Sequence, residues 1–288
     1  MSSLPPTEFD QEEPAPLEPV PLEARATRDW DPRNYPATYL LIALNILVFL
    51  WMKHMGVSAT SPSPDDLLRF GAGSTPREIL NHEWYRLVTA MFVHVGVLHL
   101  AGNMWCLWNL GLLGEPLLGA FGLFSVYILT GAAGNLVSTG WDVLLTVYYP
   151  IPLEMFGVVA GASGAVFGIA GLLIVLLSNR KLRAPWSELK ELRRAVIVFA
   201  LLNIVIGAVT ILPLSQIFPQ INKFIPLDTV RIDNSAHLGG FGFGLLLGPG
   251  LVPKMTSGRV LYLARQRVVF ASAAFGLVLF GYWISNLR

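Results

Sequence analysis

A single cysteine, Cys106, is all the thiol chemistry in this 288-residue sequence, so neither an intrachain disulfide nor a cysteine-based metal site is open to it. Cys106 lies inside an apolar window and reads as a small core residue. Charge is scarce as well: Asp, Glu, Lys and Arg make up 14% of the chain and the formal net charge is +1. No basic cluster interleaves with aromatics, which argues against nucleic acid as a partner. The His-Glu-x-x-His pattern of a membrane zinc protease is missing, and so is the Gly-x-Ser-x-Gly elbow of a soluble hydrolase, since Ala165 stands where its last glycine would be. No metal and no cofactor is therefore expected. Nor does an early basic stretch followed by an apolar run and a cleavage site open the sequence, so the first apolar segment reads as retained.

What is abundant is apolar surface. Hydrophobic residues make up 53% of the chain and the mean hydropathy is +0.56, values that belong to a membrane protein. A spanning helix needs about 20 mostly apolar residues. Windows free of Asp, Glu, Lys and Arg run over 37–52, 87–114, 116–141, 155–179, 195–222, 234–253 and 268–287. The expectation is an all-α polytopic membrane protein with seven spans. Residues 1–36 hold eight prolines and eight acidic side chains and read as a disordered tail. Residues 37–253 form the main body, with a long first loop over 56–92, and 254–288 supply a basic loop and the seventh span.

Lys and Arg resist translocation and so report orientation. With the N-terminus inside, 13 basic residues fall on the inner side against 7 outside, and the dense runs Arg180 to Arg194 and Lys254 to Arg267 are both inner. This favours N-in and C-out. The first loop holds Ser74-Thr75-Pro76-Arg77-Glu78, a helix start, and then Trp84 and Arg86. These two suit an aromatic anchor and a cationic donor, or equally two ordinary interfacial residues.

Polar side chains within spans are costly and face other helices. The second span carries His94, His99 and Asn103, the fourth Gly161-Ala162-Ser163-Gly164, and the sixth Ala236-His237-Leu238-Gly239-Gly240. His99 and Asn103, four apart, share a helix face. They could donate to one point, as an oxyanion hole does, or simply bind two helices together. His94 falls on another face and reads as structural. Gly157, Gly161, Gly164, Gly168 and Gly171 form a stripe where a second backbone can approach, and His237, Gly240 and Gly244 answer it. A helical rise of about 1.5 Å per residue puts Ser163 roughly 9 Å below Gly157 and His237 roughly 6 Å below Asp233. All four polar groups can then meet in the outer leaflet.

Taken in order, Trp84-Tyr85-Arg86, then His94, His99 and Asn103, then Gly161-Ala162-Ser163-Gly164, then Ala236-His237 with Gly240 and Gly244 resemble the rhomboid family of intramembrane serine proteases over about Ala37 to Pro253. The resemblance implies a six-helix core, here with one extra C-terminal helix. It implies that Ser163 is the nucleophile and His237 its general base, a dyad without an acid. His99, Asn103 and the Ser163 backbone N–H would hold the oxyanion. Gly161, Gly164, Gly240 and Gly244 support the site, and Trp84 and Arg86 match the first-loop element. Phe167 stands where many relatives have tyrosine beneath the histidine ring. Asp233 reads as a helix N-terminal residue, and Glu115 as the family's structural glutamate at the short inner loop. The partners implied are transmembrane protein substrates and the lipid bilayer. The acidic tail is unlike a basic mitochondrial presequence, so a bacterial plasma membrane is expected. Two alternatives stand beside this. An inactive relative that escorts or retains membrane proteins is disfavoured by having both Ser163 and His237; a transporter or channel would be expected to show a charged residue in a span.

Overall fold

Pro36 opens the first helix, α1 (Pro36–His54), with its φ already set for the helical turn. The computed structural model describes residues 31–180, 182, 184–209, 233–252 and 258–287, with side chains for all of these except 206–209. The expected tail up to residue 30, the orientation-reporting residues Arg25, Arg28, Lys181, Arg183, Lys223, Arg231, Lys254 and Arg288, the second half of the expected fifth span (210–222), and much of the loops before and after the sixth span lie outside the described residues. Among the described residues all regular structure is helical, with one isolated antiparallel bridge between Gly73 and Val159.

The cap residue Tyr35 gives α1 no side-chain bond. Glu115 supplies it from across the fold: the Ala37 and Thr38 N–H groups each donate to its carboxylate at 2.9 Å, and the Thr38 hydroxyl at 2.6 Å. A carboxylate on unpaired N-terminal amides is the favourable sign for the helix dipole.

The first loop is more regular than the sequence suggests. It folds as α2 (Pro64–Arg69), α3 (Thr75–Leu80) and α4 (Arg86–Thr89). Helix α3 begins where Ser74-Thr75-Pro76 places it. Arg86, 3% exposed, donates to the Leu68 and Ala72 carbonyls and pairs with Glu83. Glu78, 2% exposed, accepts from the Ser74 N–H and from the Thr139 hydroxyl on the next helix, so it pins the loop to the bundle.

That next helix, α5 (Val97–Tyr148), contains Pro116 and turns at Gly119, whose φ of 74° is open to glycine at little steric cost. Its two arms take the place of the second and third expected spans. Glu115 and Asp142 both lie within it, so the expectation of helices free of charge holds only for the apolar windows. The carboxylates are matched by donors, Glu115 as above and Asp142 by the Thr75 hydroxyl at 2.5 Å. Helix α6 (Ser163–Leu176) is the buried centre, lying against α5 and α8 (Asn234–Leu251). Helices α7 (Trp186–Val209) and α9 (Arg259–Ser285) flank it. Among the described residues three helices, α1, α5 and α9, are long and apolar enough to cross a membrane.

Helix α6 is shorter than its apolar window. Residues 157–162 are not helical, so Gly157 and Gly161 leave the expected stripe and the depth reckoned from Gly157 does not hold. Fourteen residues make a helix about 21 Å long, against about 30 Å of hydrocarbon. On its own α6 is therefore too short to cross the hydrocarbon. Irregular backbone in a membrane persists only when packed within protein, and Ala160, Val158 and Val159 are packed against the first loop.

The glycine faces of α6 and α8 do meet. A Cβ on Gly240 would collide with the Gly164 carbonyl, and one on Gly244 with that of Gly168. Gly242, on the other side of α8, has open space. Gly244→Ala should therefore cost about 1–3 kcal/mol, as overpacking does, and lower the thermal midpoint in detergent. Gly242→Ala should hold or raise it, because alanine is the better helix former. Equal midpoints would contradict the crossing.

Burial pushes the Glu78 carboxyl above its ordinary value of 4.5, against hydrogen bonds from Thr139 and Ser74 that lower it. The folded chain thus holds this proton more tightly than the unfolded one. The resulting stability is present at low pH and is lost as pH rises through the raised value. Glu78→Gln should flatten that part of the melting-temperature profile, whereas an unchanged slope would contradict it.

Candidate active site

Ser163 is the first residue of α6, directly after Ala162, which is fully buried. The N–H groups of the first turn have no intrahelical acceptor, so the backbone around Ser163 presents donors and the positive end of the helix dipole. His237 sits in the first turn of α8, whose cap Asp233 accepts from the Ala236 N–H at 3.0 Å. The two helix starts converge, and His237 Nε2 lies 2.7 Å from Ser163 Oγ. Phe167, one turn along from Ser163, lies against the imidazole with ring centroids 4.4 Å apart and planes at 18°. Among the described residues, His237 Nδ1 has no hydrogen-bond partner. No carboxylate among the described residues completes a triad there, and Asp233 serves the helix end instead.

Gly161 has φ 125°, and a Cβ at that position would stand 2.5 Å from the His99 ring. The imidazole of His99 therefore packs directly on the backbone two residues before Ser163. Asn103 shares that helix, but one of its amide hydrogens is given to the His99 carbonyl at 2.9 Å. Gly164 and Gly240 occupy the α6–α8 crossing. His99, Gly161, Ser163, Phe167 and His237 are thus brought together.

Trp84 and Arg86 are not part of this group. Arg86 is spent on loop carbonyls, and Trp84 packs with Ile79, Leu136, Leu153 and Ile284. His94 departs from its expected place, because α5 begins only at Val97, after Gly96, so helical angles do not apply to it. It is fully buried, its Nδ1 stands 3.3 Å from the Phe92 carbonyl, and its Nε2 accepts from the Ala162 N–H at 3.4 Å. His94 thereby anchors the residue just before Ser163, a role hidden from spacing alone. Gly96 was the available signal.

A serine hydroxyl on a histidine nitrogen thus lies among apolar helices that cross at glycines, in a fold whose described residues are helical and include helices able to cross a membrane. The sequence comparisons agree. The family model described as Rhomboid domain matches residues 81–254. The chain is 32% identical over 247 residues to Rhomboid protease GluP of Bacillus subtilis (strain 168), covering 85% of this chain and 40% of that protein. It is 31% identical over 188 residues to RHOMBOID-like protein 1 of Arabidopsis thaliana, covering 65% and 39%. Over 219 residues it is 27% identical to Rhomboid protease AarA of Providencia stuartii, covering 73% and 70%. The chain belongs to the rhomboid family and is a multi-pass integral membrane protein. It spans about two fifths of the length of the first two relatives.

An aromatic pair of this kind contributes about 1 kcal/mol beyond its buried area. Phe167→Ala should therefore slow the reaction of Ser163 with a fluorophosphonate by roughly fivefold, and Phe167→Tyr should retain the rate. Equal rates in both would show that the stacked ring does nothing for the histidine.

Proposed function

We propose that this chain is an intramembrane serine endopeptidase that cleaves transmembrane segments of membrane proteins through a Ser163–His237 dyad. The observation that carries the reading is the 2.7 Å contact between Ser163 Oγ and His237 Nε2. With Nε2 as acceptor, the hydroxyl proton passes to the imidazole as Oγ attacks the scissile carbonyl. The oxyanion that forms faces the Ser163 backbone N–H at the start of α6, with His99 and Asn103 as further donors. Collapse breaks the C–N bond, and the imidazolium returns its proton to the leaving amine. Water, deprotonated by His237, then hydrolyses the acyl-serine. Relatives named as rhomboid proteases support this reading, and having both dyad residues argues against an inactive scaffold.

The short α6 favours a site below the membrane surface, where water exclusion strengthens every donor. The corresponding substrates are single-span proteins whose helix opens near small residues. With the two arms of α5 counted separately, seven crossings fit the order of helices and apolar windows. The basic residues support an inner N-terminus and an outer C-terminus.

The test is cleavage of a purified single-span reporter with small residues near its outer end, in detergent and in liposomes. Ser163→Ala and His237→Ala should each reduce cleavage to background, since losing either member of such a pair costs about a million-fold in a soluble serine protease. His99→Ala should lower kcat by about 100-fold. Cleavage by either dyad variant would refute the assignment.

A further inference from the structure

We propose that Ser138, on the second arm of α5, is a positioning residue for His237 that acts through Asp233, a role that rests on the dyad reading above. Where a serine protease has a triad, the acid bonds the far nitrogen of the imidazole and fixes its orientation. Here, among the described residues, His237 Nδ1 has no partner. Nothing bonded to the ring itself, other than Ser163, sets its direction. The ring rests on Phe167, and a stacked face permits rotation in its own plane. What remains to set the aim of Nε2 is the backbone from which the side chain grows.

Asp233 controls that backbone by three bonds. Its main-chain carbonyl accepts from the His237 N–H at 3.1 Å. One carboxylate oxygen accepts from the Ala236 N–H at 3.0 Å. The other accepts from the Ser138 hydroxyl. The first two define the opening turn of α8, and the third ties that turn to a different helix.

Serine and threonine within a helix ordinarily turn back to the carbonyl one turn earlier. Thr130 on the same helix does so, to Val126. Ser138 instead reaches outward to Asp233, as the adjacent Thr139 does to Glu78. One turn before it, Gly134 gives way to α8: a Cβ there would stand 2.5 Å from the Ala236 carbonyl. Gly134 and Ser138, four apart, share a face of α5. They hold the first turn of α8 at two heights, one by close approach and one by a hydrogen bond. Rotation or sliding of that turn, which would carry Nε2 away from Ser163, is opposed at both.

The experiment measures the rate at which a fluorophosphonate labels Ser163 in the full chain in detergent, beside the thermal midpoint of each variant. Misplacing a reacting group by about 1 Å can cost about 100-fold. Ser138→Ala should slow labelling by roughly 10- to 100-fold, measured well below its own midpoint, and Ser138→Thr, which keeps the hydroxyl, should restore most of the rate. Asp233→Ala should slow it similarly. Asp233→Asn can still cap through its oxygen and can donate its amide to Ser138, so it should retain most of the rate. A purely structural contribution would lower midpoints and leave labelling rates alone, and that result overturns the proposal. So would a loss in Asp233→Asn equal to that in Asp233→Ala, which would make charge the determinant. If wild type labels and Ser138→Ala labels equally fast, positioning fails while the dyad stands. If wild-type Ser163 does not label at all, both fail. Should Ser138→Ala not fold, the two Asp233 variants carry the same comparison.

Discussion

The site depends on how closely α6 and α8 approach. Two helices with ordinary side chains lie about 8–10 Å apart. Gly240 and Gly244 instead stand where a single added carbon would strike the Gly164 and Gly168 carbonyls. A Cβ on Gly168 would in turn strike the Thr130 side chain of α5, and one on Gly134 the Ala236 carbonyl. In lipid there is no hydrophobic force between helices, so such contact is the main means of association. It also holds two helix N-termini side by side, and Ser163 and His237 each occupy the first turn of one of them.

The second constraint is the cost of an unpaired backbone group in hydrocarbon. At several bends and helix ends a side chain from elsewhere in the fold supplies the missing partner. Glu115 caps α1. On α9, Gln266 donates to the Leu118 carbonyl beside the Gly119 turn, Tyr262 to the Leu117 and Leu251 carbonyls, and Arg265 to Val252. The C-terminal helix α9 thus serves the bend between the two α5 arms and the C-terminal end of α8. Its other end packs near Trp84 and Leu136 through Gly281 and Ile284.

Much of this was legible in the sequence because it depends on local pattern. The helices at 36–54 and 234–251 follow their apolar windows within a few residues, and the answering glycines at 164, 168, 240 and 244 do meet. The stack of Phe167 on His237 came from resemblance and is found. What was not legible depends on long-range partners. The window over 155–179 is apolar enough for a full span, yet α6 begins only at Ser163, because residues 157–162 bond to the first loop and to Ala90 instead. His94 read as structural on a helix, and its support of Ala162 comes from an irregular segment instead. The partners of the supporting residues Arg86 and Trp84, loop carbonyls for one and Leu136 and Ile284 for the other, were not readable either. The bond between Ser138 and Asp233, 95 residues apart, leaves no local trace.

With no acid on its far nitrogen, the dyad reading asks more of the fold than a triad would: stacking, capping and crossing must together keep one nitrogen on one hydroxyl. The most direct measurement is mass-spectrometric mapping of a fluorophosphonate adduct on the purified chain, beside His237→Ala. An adduct on Ser163 that disappears when His237 is replaced is the predicted result. An adduct on another serine, or one on Ser163 that is indifferent to His237, would contradict the account.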